Sequence, residues 1–346
     1  NRMLEETDVN FSGYTPNSYL LKKSYNEHHN YYAEGLKIDG LSYSAYVEGE
    51  GWTSSPVNAL NSSNYIDDNI PTPNVYTGIG APFVKGEAVS IGVSNASNTA
   101  LPNNHHLQLQ YGTSNTVLHD ITFSGYKKNN LNISFPASGI TGTTTRIRHQ
   151  LINDLGAASD HQAVAFVELI YPHTTNLENS SYIELINSNH GTASKSLYNF
   201  TNLTATNPFA FVIGSETKKI PISNNSGTFS VLIPNDNSLS EQKLILLDES
   251  QIKTIPEITA VNQTGSFTDF SLLNFDNAFI IVTSKALAIG ANDYKLYRES
   301  VAGGSRNVIL TFIDELNLQF GGGVPKHIMG LRRFQDFAFN INPTNP

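Results

Sequence analysis

Asp314 and Glu315 stand just past the apolar run "NVILTF" (307 to 312). Paired carboxylates behind a buried strand lie where parallel-sheet proteins gather ligands and catalysis. They could build a site or ligate a cation. The plainer reading is a strand-end acidic pair, solvated or bonded to its own loop, since adjacent carboxylates alone say little. Gly321, Gly322 and Gly323 precede a segment of helical pattern and could cradle an anion. No G-K-[ST] follows and no G-x-G-x-x-G fits, which favours a turn. Glu48 and Glu50 in "YVEGEGW" alternate on one strand face beside Trp52, the only tryptophan. A glycosidase carboxylate pair competes there with a strand edge. The doublets His28-His29 and His105-His106 invite a metal, but strand neighbours point to opposite faces and no H-E-x-x-H occurs, so surface or turn histidines are expected. His149, His161, His173 and His327 are isolated and read as structural. The sequons "NFS", "NSS", "NIS", "NFT" and "NLT" fit chance in an Asn-rich chain. No residue is assigned a catalytic, cofactor-binding or metal-binding role, and no cofactor is expected.

The elements that would position these groups come in two textures. From about 41 to 250 the chain reads as short strands with polar turns. "HHLQLQYG" puts Leu107, Leu109 and Tyr111 on one face, and "DITFSGY" pairs Ile121 with Phe123. "LNISFP", "TTRIRHQL", "VAFVELIYP", "SYIELINS", "GTFSVLIP" and "KLILLDE" follow. Period-two alternation with regular turns predicts antiparallel sheets solvated on one face. About a dozen strands predicts two β-sandwiches or one enlarged sandwich, with Leu107, Leu109, Ile121, Phe123, Phe166, Ile183 and Val231 buried. "LTATNPFA" (203 to 210) suggests a division into an N-terminal sandwich domain, 1–205, and a smaller sandwich or linker strands, 206–274.

The texture changes at 278. "AFIIVTS" and "NVILTF" are continuous apolar runs, suited to strands buried on both faces of a parallel sheet. Between them Tyr294, Tyr297 and Val301 fall on one helical face, with Asn292 to cap its start and Gly303 to end it. After the second run, Pro325 suits a first helical position, and Ile328, Leu331, Phe334 and Ala338 line one face. The order β-α-β-α predicts the opening of an α/β domain over 275–346. Two parallel strands cannot cover their own faces, so the remaining sheet is expected outside these residues.

The 346 residues carry a net charge of −9, and only 15% are charged. That balance repels a phosphate backbone, so no nucleic-acid partner is expected. No basic run offers a membrane anchor, and no apolar stretch reaches the roughly 20 residues of a spanning helix. "NRMLEETDVN" has no apolar core of a signal peptide, so export would need a segment outside these residues. The absence of cysteine removes disulfides, thiolate metal sites and a thiol nucleophile within the chain.

The stretches "AFIIVTSKAL", "DYKLYRES" and "NVILTFIDELNLQFGGGVPKHIMGLRRFQDFAF" resemble the start of a gingipain-type cysteine peptidase domain. The nearest variety is the type IX secretion system sortase of Bacteroidetes. "YSAYVEGEGWTSS" resembles the early sortase segment with its G-E-G-aromatic motif. "FVELIYPHT" resembles a sandwich strand that usually ends Y-P-R, with His173 in place of that Arg. The resemblance implies a mainly β protein whose last part opens a gingipain- or caspase-like α/β domain. It implies an exported cysteine endopeptidase at the outer membrane or cell surface, which removes C-terminal sorting domains from secreted cargo and passes the cargo to a lipopolysaccharide anchor. The implied partners are the rest of the peptidase domain, in the same or a second polypeptide, an outer-membrane barrel protein and the cargo. The family's catalytic His and Cys lie on later strands, so the resemblance carries no catalytic residue onto this chain. The alternatives are an extracellular β-sandwich adhesin or glycan-binding module without activity and, more remotely, a hydrolase using Glu48 or Asp314.

Overall fold

The computed structural model describes residues 3–38, 41–42, 47–95, 101–188, 192–255, 257–258, 260–327 and 329–341. Mainly β, it holds several sheets. Two compact units are present, one of Asn1–Leu36 with Glu48–Thr254 and the other of Lys37–Val47 with Ile255–Pro346.

In the first unit a ten-stranded sheet runs, in spatial order, through Leu4–Glu5, Thr217–Ile220, Pro208–Ile213, Gln242–Asp248, Tyr182–Asn187, Tyr19–Glu27, His161–Thr174, Val84–Gly92 and Lys128–Phe135. Val57–Asn58 pairs beside His161–Thr174. Two four-stranded sheets accompany it: Thr116–Phe123, His105–Tyr111, Thr144–Leu151 and Tyr65–Pro71, then Asn176–Ser180, Lys195–Leu203, Thr228–Pro234 and Ser223–Asn225. Alternation does the sorting. Leu131, Ile133 and Phe135 turn inward from Lys128–Phe135, and Thr145, Ile147, His149 and Leu151 turn inward from Thr144–Leu151, as a period of two dictates.

Two cores result. One gathers Leu107, Leu109, Phe123, Ile133, Ile147 and Leu169; the other gathers Leu20, Ile183, Tyr198, Phe200, Val231 and Leu244. Of the residues expected inside, Leu107, Leu109, Phe123, Ile183 and Val231 are buried, while Ile121 and Phe166 are half-buried. Residue 205 falls between Lys195–Leu203 and Pro208–Ile213, both of which feed the second core.

In the second unit Ala278–Thr283 and Asn307–Phe312 pair in parallel, with Ile280 opposite Ile309. Helix α1 (Ala288–Glu299) connects them, and α2 (Ile313–Phe320) and α3 (Met329–Ile341) follow. Phe334 and Leu316 are fully buried and pack with Phe270, Phe275, Ile309 and Ala338. The rings of Phe270 and Phe334 lie 4.9 Å apart, inside the range where aromatic pairs attract.

Four local expectations are corrected here. Helix α1 begins at Ala288, so Asn292 lies within it rather than capping it; Ala286, Ala288 and Ala291 are strong helix formers and carry the start upstream. The helix ends at Glu299, where Ser300 N–H donates to the carbonyls of Leu296 and Tyr297, short of Gly303. Tyr294, Tyr297 and Val301 are exposed, Val301 by 90%. Pro325 lies in the turn before α3 rather than in its first position. Leu331, Phe334 and Ala338 do join the core, and Ile328 lies outside the described residues.

Candidate functional site: the Glu50–Trp52 ribbon

Glu50–Thr53 pairs antiparallel with Tyr31–Glu34, which sets Tyr32 opposite Trp52 and Glu34 opposite Glu50. The glycines around Glu50 are there for backbone reasons. Gly49 has φ 81° and Gly51 φ 145°, the region that favours glycine. A Cβ on Gly49 would come within 2.9 Å of the Tyr126 carbonyl oxygen. This backbone turns Glu50 inward, where it is 3% exposed, and the Tyr32 hydroxyl donates to its Oε1 over 2.7 Å. Trp52 turns outward and is 45% exposed. Tyr32 meets it edge-on at 5.4 Å and His29 at 6.4 Å, while His29 Nε2 lies 3.6 Å from a Glu27 carboxylate oxygen. Glu48 is exposed and accepts from the Lys128 backbone N–H. Glu48 and Glu50 therefore have separate partners, and Glu50 is closed to a sugar, whereas glycoside hydrolysis needs both carboxylates at the scissile bond.

His28 and His29 lie just past the strand Tyr19–Glu27, whereas His105 and His106 open the strand His105–Tyr111 and point to opposite faces of it, so His105 is a buried strand residue rather than the expected surface or turn histidine. His105 is buried, with Nδ1 2.6 Å from Asp160 Oδ1. His106 faces outward between Asp154 and Asp120, at 2.8 and 2.6 Å. Partial burial pulls the His106 pKa down, but its bonds to the two carboxylates outweigh this and raise it. His28 Nε2 meets Asp68 Oδ1 at 2.8 Å, and the Asn26 amide donates to the same oxygen. Asp68 is fully buried, and its Oδ2 lies 3.8 Å from His149 Nδ1. Burial dominates at His149 and pushes its pKa down to about 4. His161 pairs with Ser159 Oγ, and His327 Nδ1 accepts from the Met329 N–H. His173, in the position of the Y-P-R arginine, is buried; its ring meets Glu178 Oε1 at 2.7 Å and the Thr174 carbonyl at 2.6 Å. Among the described residues no group of three or more His, Asp or Glu converges to hold a metal.

Asp314 and Glu315 occupy the first turn of α2, where carboxylates complement the helix dipole. Glu315 is buried and accepts from Asn262 Nδ2 at 2.8 Å and from Thr268 N–H at 2.6 Å. It ties a loop to the helix. The triple glycine ends α2: Gly322 and Gly323 have positive φ, and Gly323 N–H donates to the Leu318 carbonyl. Tyr32 and Asp68 were not singled out in sequence, and His29 was singled out only as half of a doublet. "YYAE" is a weak strand signal, and its partner lies beyond a loop.

No family model and no curated protein matches the sequence. Among solved structures, the crystal structure of dimeric latent PorU from Porphyromonas gingivalis is similar over 99% of this chain and 30% of that one, with a TM-score of 0.59 and 14% identity. The CUB1-EGF-CUB2 region of human MASP-1/3 aligns over 55% of this chain and 95% of that one at 9% identity, with a TM-score of only 0.16. The infectious bursal disease virus Gx strain structure aligns over 70% and 61% at 8% identity, with a TM-score of 0.20. The chain thus spans about a third of the PorU structure and shares the fold of that part.

Proposed function

We propose that this chain is the non-catalytic N-terminal portion of an exported gingipain-type cysteine endopeptidase that acts as a type IX secretion sortase. The observation that carries the proposal is the fold match to PorU over 99% of the chain, joined to the motifs of the last 70 or so residues. Residues 275–346 then open the parallel sheet of the peptidase domain, and the sandwiches over 1–205 and 206–274 hold the protease, its cargo or an outer-membrane partner. The chain contains no cysteine. The thiolate, which needs a histidine to form at neutral pH, is assigned to the rest of the protein, and its place of action to the outer membrane or cell surface.

The test uses the full-length protein and cargo carrying a C-terminal sorting domain, with and without replacement of the downstream cysteine. Release of the sorting domain, lost on that replacement, is the expected result. Intact cargo, or cleavage that survives the replacement, overturns the proposal.

A further inference from the structure

We propose that the exposed part of the Trp52 ring is a docking point for a basic side chain, an arginine or lysine presented by a protein partner. The motif that places Trp52 is built for position. Gly49 and Gly51 take backbone conformations that favour glycine, and Gly49 has the Tyr126 backbone where a Cβ would go. Glu50 is anchored beneath by the Tyr32 hydroxyl, and the Tyr32 edge steadies the indole. This rigidity gives an aromatic ring a fixed presentation to solvent, which lowers the ordering cost of binding.

The charge around the ring selects the occupant. Glu27 reaches the same patch through His29. A tryptophan face attracts a cation most strongly of the aromatic rings, and the nearby Glu27 carboxylate strengthens that attraction. The chain stacks its own cations elsewhere: Arg148 lies over Tyr65 at 3.9 Å, Lys219 over Phe209 at 4.6 Å and Arg298 over Phe279 at 4.6 Å. Among the described residues no such cation lies over Trp52. The net charge of −9 would also steer a basic partner toward the protein.

Trp52 is the only tryptophan, so the indole fluorescence of the chain reports this site alone. An arginine-rich peptide titrated into the chain is expected to change that fluorescence saturably. The effect should weaken at high salt and be absent with the citrulline counterpart. Calorimetry should show binding lost in Trp52→Ala, retained but weaker in Trp52→Phe, and about two- to fivefold weaker in Glu27→Gln. Circular dichroism of each variant separates loss of the site from loss of the fold. No saturable response to the arginine peptide overturns the proposal. So does an equal response to citrulline, or a response only to a neutral oligosaccharide, which would make the ring a sugar platform instead.

Discussion

His149 is a titratable ring carried into a core by strand periodicity, because it falls on the same row as Ile147 and Leu151. Its two nitrogens have no hydrogen-bond partner, and neither has Asp68 Oδ2 nearby. The folded protein holds this ring neutral, with a pKa of about 4 against an ordinary 6.5. Between those values the unfolded chain binds the extra proton and the folded one does not. Stability is therefore full above about 6.5 and falls with pH until about 4, by up to ~1.4 kcal/mol per pH unit from this residue. His149→Leu should flatten that part of the dependence, read as the difference between urea midpoints at pH 7 and pH 5. An unchanged difference would mean that His149 is not the proton sensor. The role of His149 was half visible in sequence. Alternation could place it inward, but its neighbours are Asp68, from a strand whose pairing no local pattern announces, and His28, from just past the end of another. The same holds for Tyr32 and Trp52, where the motif around Glu50 was legible and its partner strand was not.

At the scale of elements, alternating strands were the most readable part, because each carries its own burial code: Leu107 and Leu109, Leu131 and Ile133. The parallel pair at 278–283 and 307–312 was readable from its continuous apolar runs. Helix α2 was not, because "IDELNLQF" directly follows a strand and its acidic pair reads as a loop until Leu316 is seen in the core. The first strand of the parallel pair is poorly covered. No residue of Ala278–Thr283 is fully buried, and Ile280 is 36% exposed. Fully burying one such side chain contributes roughly 1.5 to 3 kcal/mol, so partial cover forfeits several kcal/mol over the ribbon. Amides of 278–283 and 307–312 should exchange with solvent faster than those of His105–Tyr111 in the isolated chain. They should slow when the remaining strands are supplied in the same or a second polypeptide. Protection equal to that of the sandwich strands in the isolated chain would end the incomplete-sheet interpretation.

For the whole molecule, the proposed division of labour makes a simple demand. The chain alone should hydrolyse no unstructured peptide, since it has no thiol and no clustered metal ligands among the described residues. Turnover abolished by a single substitution within it, at Glu48 or Asp314 for example, would contradict that expectation. The large sheet has a different consequence, for the order in which the chain can fold. Its strand Tyr19–Glu27 is flanked by His161–Thr174 and Tyr182–Asn187, and Lys22 bonds Glu178, 156 residues away. An early strand that must wait for such distant neighbours gives a high contact order, and topologies of this kind fold in milliseconds to seconds rather than microseconds. During synthesis the first 160 or so residues emerge before that strand can be enclosed. The central seam then closes late, which leaves the nascent chain a long interval in which it can still be held open.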